Sequence, residues 1–213
     1  MKHTFYEEKS REFDVNKHMD LLLNVLQNKP LAKNLIIRWS KIILSIYKEE
    51  GYPAPIDYHH ETYSFIVKYT TGFFEYVFNI DIANEIIFSS KKQPVEMSIR
   101  EAKQYVDLDN LHENSFTKVD NHRNPIILIK SKIFDRPQCI NGNHRILDAY
   151  KKGQRTISLY CLEEAECLPM INTKLSKAMF MMNTDLNMVL FEKNKQHTSF
   201  LIEESARWLS ETK

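Results

Sequence analysis

The chain has 213 residues, 43% hydrophobic and 27% charged, which is enough apolar content for a sizeable core and too much for a disordered segment. Its net charge of +1 excludes a uniformly basic nucleic-acid glove and leaves room for a local patch. The three cysteines, Cys139, Cys161 and Cys167, contain no Cys-x-x-Cys pair, which argues against structural zinc and for a reducing compartment. Met1 to Asn16 is rich in charge and lacks the apolar run of a signal peptide, and no stretch of eighteen uncharged apolar residues occurs, so a cytoplasmic location is expected.

Met19, Leu22, Leu23 and Leu26 recur at helical spacing within Lys17 to Gln27. Pro30 opens a second helical pattern that runs to Glu50 and is closed by Gly51 and Pro53. Its stripe of Leu35, Ile36, Trp39, Ile42, Ile43, Ile46 and Tyr47 is that of a core-facing helix rather than a membrane-surface one. His59-His60-Glu61 offers ligand types, but adjacent histidines in extended chain point to opposite faces, so no metal site is expected there. Thr62 to Tyr69 and Phe73 to Ile80 flank Thr70-Thr71-Gly72 as a hairpin whose aromatics serve as core packing rather than as a base-stacking platform. Glu85 to Ser90 is expected to extend that sheet.

Pro125-Ile126-Ile127-Leu128-Ile129 is a buried-strand run, and Gln138-Cys139-Ile140 is a second strand that delivers the chain to Asn141-Gly142-Asn143-His144-Arg145. A short helix follows, with Lys151 and Lys152 in its last turn and Gly153 at its end, and Thr156 to Cys161 alternates as a strand. The unit is β-β-α-β. Leu175, Met179, Phe180 and Met181 mark a further helix, Asn187 to Phe191 a strand, and Ser199 to Ser210 a final helix. The resulting class is α+β, organised as residues 1–94 (helices and hairpin), 95–168 (the motif domain) and 169–213 (terminal elements packing on the same body).

The strand-to-helix junction at Gly142 is the chemically informative point. Glycine permits a backbone turn and close ligand approach that a side chain blocks, and the first N–H groups of a helix form an anion site. Arg145 can fork onto two phosphate oxygens, His144 can donate from both nitrogens when protonated, and Asn141 and Asn143 can cap the helix or touch a ribose or phosphate oxygen. The alternative is that Asn141-Gly142 is simply a tight turn, with His144 and Arg145 solvating the first helical turn.

The span from Val95 to Cys161, carrying Pro125-Ile126-Ile127-Leu128, the Asn141 to Arg145 loop, Gly153 and Ile157, resembles the ParB/sulfiredoxin-like domain. That resemblance implies a mixed sheet with helices, and a loop of the Gly-x-His-Arg or Gly-x-Arg-Arg type whose amides and basic side chains hold nucleotide phosphates. Its members include CTP-hydrolysing partition proteins, ATP-using sulfiredoxins, ADP-using free-serine kinases and ParB-like nucleases. The chain departs from sulfiredoxins in having Asn143 where they carry the catalytic cysteine, and Cys139 sits on the approaching strand, where packing is its expected role. It departs from the partition proteins in having Asn143 and His144 in place of an acid and an arginine, and no helix-turn-helix follows.

The reading from sequence is a nucleotide- or phosphate-binding protein, with ATP, ADP or CTP and Mg²⁺ as the expected ligand and NTP hydrolysis or phosphoryl transfer as the expected reaction. Asn141, Gly142, Asn143, His144 and Arg145 would bind it. His144 would assist chemistry together with a carboxylate drawn from Asp107, Asp109 and Glu113, the acids before the buried strand; His112 and His122 nearby carry no distinct assignment. The alternatives are a ParB-like nuclease acting on DNA or RNA with His144 as acid or base, and a DNA-associated or regulatory module without catalysis.

Overall fold

The computed structural model describes residues 13–53, 59–108, 111, 125–134 and 136–191. The chain is α+β and divides into two compact units: Met1–Ile56, Ser64–Val77 and Ile171–Lys213 form the first, and Asp57–Tyr63 with Phe78–Met170 the second. The second unit thus contains the motif segment and begins upstream of it, taking in the base of the hairpin and the helix that follows. Asp109, Glu113, His112, His122 and the helix expected over Ser199 to Ser210 lie outside the described residues.

In the first unit, helix α1 (Val15–Val25) starts where the Asp14 carboxylate accepts from Lys17 N, a side-chain cap. Helix α2 (Pro30–Glu50) has proline at its first turn and ends at Gly51, φ 73°. It buries Ala32, Leu35, Ile36, Trp39, Ser40 and Ile43, the face its periodicity predicts. Helix α7 (Lys174–Phe191) packs along α2, and the buried Trp39 indole donates to Asp185 Oδ2 at 2.9 Å. The strands β1 (Thr62–Tyr69) and β2 (Gly72–Asn79) pair as the expected hairpin. Phe74 and Tyr76 are fully buried, and Phe74 stacks on Tyr52 at 4.8 Å, so these aromatics fill a core.

Two expected strands are helical instead. Residues Glu85 to Ser89 belong to helix α3 (Ile80–Ser89) and Ser90 is its C-cap, because Asn79 caps its start through a bond from Ile82 N and Ile80, Ala83 and Ile87 recur on one buried face. Residues Asn187 to Phe191 complete α7, since nothing between Met181 and Asn187 breaks the helix and Asn183 donates back to Met179 O at 2.8 Å.

The second unit is built on a four-stranded sheet of β3 (Val95–Ser98), β4 (Ile127–Lys130), β5 (Gln138–Asn141) and β6 (Thr156–Glu163), in the order β3-β6-β4-β5. β4 runs parallel to β6 and antiparallel to β5, with a register shift between Ile127 and Leu128, and β3 is antiparallel to β6. Helix α4 (Ile99–Ala102), its 3₁₀ continuation Lys103–Tyr105 and helix α5 (Asn143–Lys151) supply Ile99, Ala102, Ile146 and Ala149 to a core with Leu128, Cys139 and Leu159. The short helix α6 (Glu164–Cys167) follows β6 through a reciprocal Glu163–Glu166 capping box. The expected β-β-α-β order from β4 to β6 is present.

Candidate functional site at the Gly142 turn

Gly142 joins β5 to α5 in left-handed geometry, φ 98° and ψ 16°. Space matters there as much as dihedral freedom. A Cβ at this position would stand 2.6 Å from Ile126 Cγ1 and 3.0 Å from an Arg145 guanidinium nitrogen. The glycine therefore lets the turn sit directly on the strand ahead of β4 and on Arg145.

The N-cap of α5 is Gly142, which has no side chain with which to cap the helix. Asn143, expected as a cap or ligand contact, is instead its first helical residue and is buried. Its Oδ1 accepts from Asp107 N at 3.0 Å and its Nδ2 donates to Cys139 O at 2.9 Å, so both polar ends are used inside the protein. Asn143 is thus a bracket between the end of β5 and the segment after the 3₁₀ turn. Asn141 closes β5, and its Nδ2 is buried with no hydrogen-bond partner among the described residues, a donor whose isolation costs about 1–3 kcal/mol.

Arg145 is half-buried and donates to Pro125 O at 3.1 Å, which orients its fork along the wall of the turn. Burial pulls its pKa down, while the Cys139 thiol and the Glu61 carboxylate act in the opposite direction. His144 is half-buried beside it on the first turn of the helix. Cys139 is fully buried, its Sγ donates to Asn141 O at 3.2 Å, and burial pushes its pKa up to about 12. It is a protonated packing group, as its place on the strand suggested.

Of the three acids proposed from sequence, Asp107 is the described one, and Asn143 ties it to the loop. Its Oδ2 accepts from the buried Tyr63 hydroxyl at 2.7 Å. Tyr63 and Glu61 come from the start of the hairpin, and sequence reasoning missed both as members of this corner. No local signal could have found them, since Tyr63 precedes Asp107 by 44 residues. In the His59-His60-Glu61 run, His60 Nδ1 lies 3.2 Å from Asp81 Oδ2, and no group of three potential metal ligands occurs among the described residues.

The corner thus gathers two carboxylates, Asp107 and Glu61, one guanidinium, one imidazole and a helix start at a left-handed glycine. The guanidinium and the helix start attract and orient an anion and the imidazole can donate to it, whereas the carboxylates repel it and suit a proton or a metal ion. No helix is long and apolar enough to cross a membrane. Comparison with protein-family models, with curated proteins and with solved structures finds no match for this chain.

Proposed function

We propose that the chain has a ParB/sulfiredoxin-like fold and binds a phosphorylated ligand, a nucleotide with Mg²⁺ foremost, at the Gly142 turn. The observation that carries this reading is the start of α5 at a glycine, which offers no capping side chain and has room for none, with Arg145 held against it. An anion there completes a helix terminus and stands within the field of a cation whose burial makes an anionic partner favourable. The isolated Asn141 donor points to the same need for an acceptor.

Asp107 supplies the carboxylate that hydrolysis or phosphoryl transfer requires. It would accept the proton of the attacking water or hydroxyl as the new oxygen–phosphorus bond forms, while the bond to the leaving phosphate breaks and its electrons stay on the leaving oxygen. Arg145 offsets the charge that spreads over the phosphoryl oxygens, and His144 donates to them or to the leaving oxygen. Mg²⁺ is commonly held by one or two carboxylates together with substrate phosphates; when bound, the ion would neutralise phosphate charge.

Calorimetry against ATP, ADP, CTP and GTP with Mg²⁺ tests the reading. Binding that weakens at least about tenfold in Arg145→Ala is expected for a charge-assisted phosphate contact. No binding by the native chain, or equal binding by the variant, would overturn it. Nicking of DNA or RNA that survives purification and disappears in His144→Ala would replace it with a nuclease.

A further inference from the structure

The Asn141-Gly142 step carries chemistry of its own. The backbone nitrogen that follows an asparagine can attack its side-chain amide, and a glycine at that place has no Cβ to obstruct the approach. Gly142 is the one glycine of the sequence that follows an asparagine. A fold suppresses this attack when it holds either partner in a hydrogen bond that must first break. Neither is held here. Gly142 N donates no hydrogen bond among the described residues, although Gly142 O accepts from Ile146 N at 3.1 Å. Asn141 Nδ2, the nitrogen that would leave, is equally without a partner there. Asn141 is the last residue of β5, and both it and Gly142 are half-buried, so solvent reaches the turn.

Asn143 is the opposite case, with Oδ1 and Nδ2 both bonded inside the protein and His144 behind it. The surroundings of Asn141 favour the attack and its product alike. Gly142 N stands at the start of α5, whose positive end eases removal of the amide proton and stabilises negative charge on the attacked carboxamide. Arg145 adds to that field, with a guanidinium nitrogen 3.0 Å from the point where a Cβ at Gly142 would stand.

We propose that Asn141 is a self-modification site, converted to aspartate and isoaspartate through Gly142. Gly142 N gives up its proton and bonds to Asn141 Cγ, closing a succinimide ring. The Cγ–Nδ2 bond breaks, and Nδ2 takes up a proton and leaves as ammonia. One water then opens the ring at either carbonyl. The sum is amide plus water to carboxylic acid plus ammonia, and it needs no oxidant, reductant or cofactor. A neutral donor is thereby replaced by a carboxylate beside the helix start. That this carboxylate would oppose a bound phosphate rests on the phosphate-ligand reading; the modification itself does not.

Peptide mapping by mass spectrometry tests it on the folded full chain, incubated at mildly alkaline pH in oxygen-labelled water. Label should enter at Asn141, at a rate that rises with pH because Gly142 N must lose its proton. Conversion at Asn141 should exceed that at Asn143 by at least about tenfold, a barrier difference of about 1.4 kcal/mol that the hydrogen bonds Asn143 must first break can supply. Asn141→Gln keeps the amide and should lose the signal, because its longer side chain closes a less favourable ring. Trimethylamine N-oxide, which favours the compact state, should leave the rate unchanged when the folded turn is the reacting species. An intact Asn141 amide in the folded chain over a time in which the urea-unfolded chain converts would overturn the proposal. So would equal rates at Asn141 and Asn143, or a rate that falls with added N-oxide.

Discussion

The Tyr63 hydroxyl donates a 2.7 Å hydrogen bond to the Asp107 carboxylate, joining the first strand of the hairpin to the acid beside the Gly142 turn. The bond fixes the position of one carboxylate oxygen. Tyr63→Phe should therefore keep the fold, with a loss of about 1 kcal/mol in denaturant unfolding. If Asp107 is the working carboxylate, kcat should fall while KM changes little. Unchanged kinetics with reduced stability would restrict Tyr63 to a structural part.

Gly142→Ala should be costlier than Gly153→Ala. Both glycines have positive φ, 98° and 69°, but a Cβ at 153 meets nothing within 4 Å whereas one at 142 meets Ile126 Cγ1 at 2.6 Å. Left-handed backbone alone costs an alanine about 1–2 kcal/mol, and forcing a methyl into packed surroundings adds about 1–3 kcal/mol. Urea unfolding of the two variants gives the comparison; equal losses would mean that Ile126 yields without cost.

Asn143 should behave as a structural residue. Asn143→Ala removes both its bonds and leaves Asp107 N and Cys139 O without this partner, a loss of about 2–3 kcal/mol by thermal or urea unfolding. Asn143→Asp keeps the acceptor and sets a carboxylate oxygen against Cys139 O, so it should be destabilised at neutral pH and recover in part on acidification. A stability within experimental error of the native chain in both variants would return Asn143 to the list of ligand contacts.

His18 should make the first unit sensitive to mild acid. It is 3% exposed, packs 4.5 Å from the Tyr69 ring and places Nδ1 2.9 Å from Thr71 Oγ1, while Nε2 is buried with no partner among the described residues. Burial lowers its pKa from 6.5 to about 4. The unfolded chain thus takes up the proton first as pH falls. The stability from keeping His18 neutral is complete above pH 6.5 and is lost between 6.5 and about 4. The full span is at most about 3 kcal/mol. His18→Gln should flatten the fall of Tm between neutral pH and the onset of carboxylate titration; parallel curves for the two proteins would exclude His18 as the sensor.

Much of the Gly142 corner was legible because its signals are local. A glycine between an apolar strand and a lysine-ended helix reads directly from neighbouring residues, and so does the Pro30–Glu50 helix with its terminal proline and glycine. The misassigned segments are those whose local preference is ambiguous. Glu85 to Ser90 is short and β-branched, and its helical state depends on the Asn79 cap and on burial of Ile80, Ala83 and Ile87. Asn187 to Phe191 looks like a strand in isolation, yet it continues a helix anchored through Asp185 to Trp39. Asn143 looked like a ligand contact because its two internal partners, Cys139 O and Asp107 N, become neighbours only when the chain folds.

The carboxamide that spans Cys139 O and Asp107 N has a bearing on kinetics. Because one side chain sets the spacing between acid and helix start, the corner takes its working shape as the polypeptide collapses and has little left to rearrange when a ligand arrives. Association should then follow a single exponential phase whose rate rises linearly with ligand concentration, without the plateau of a slow conformational step.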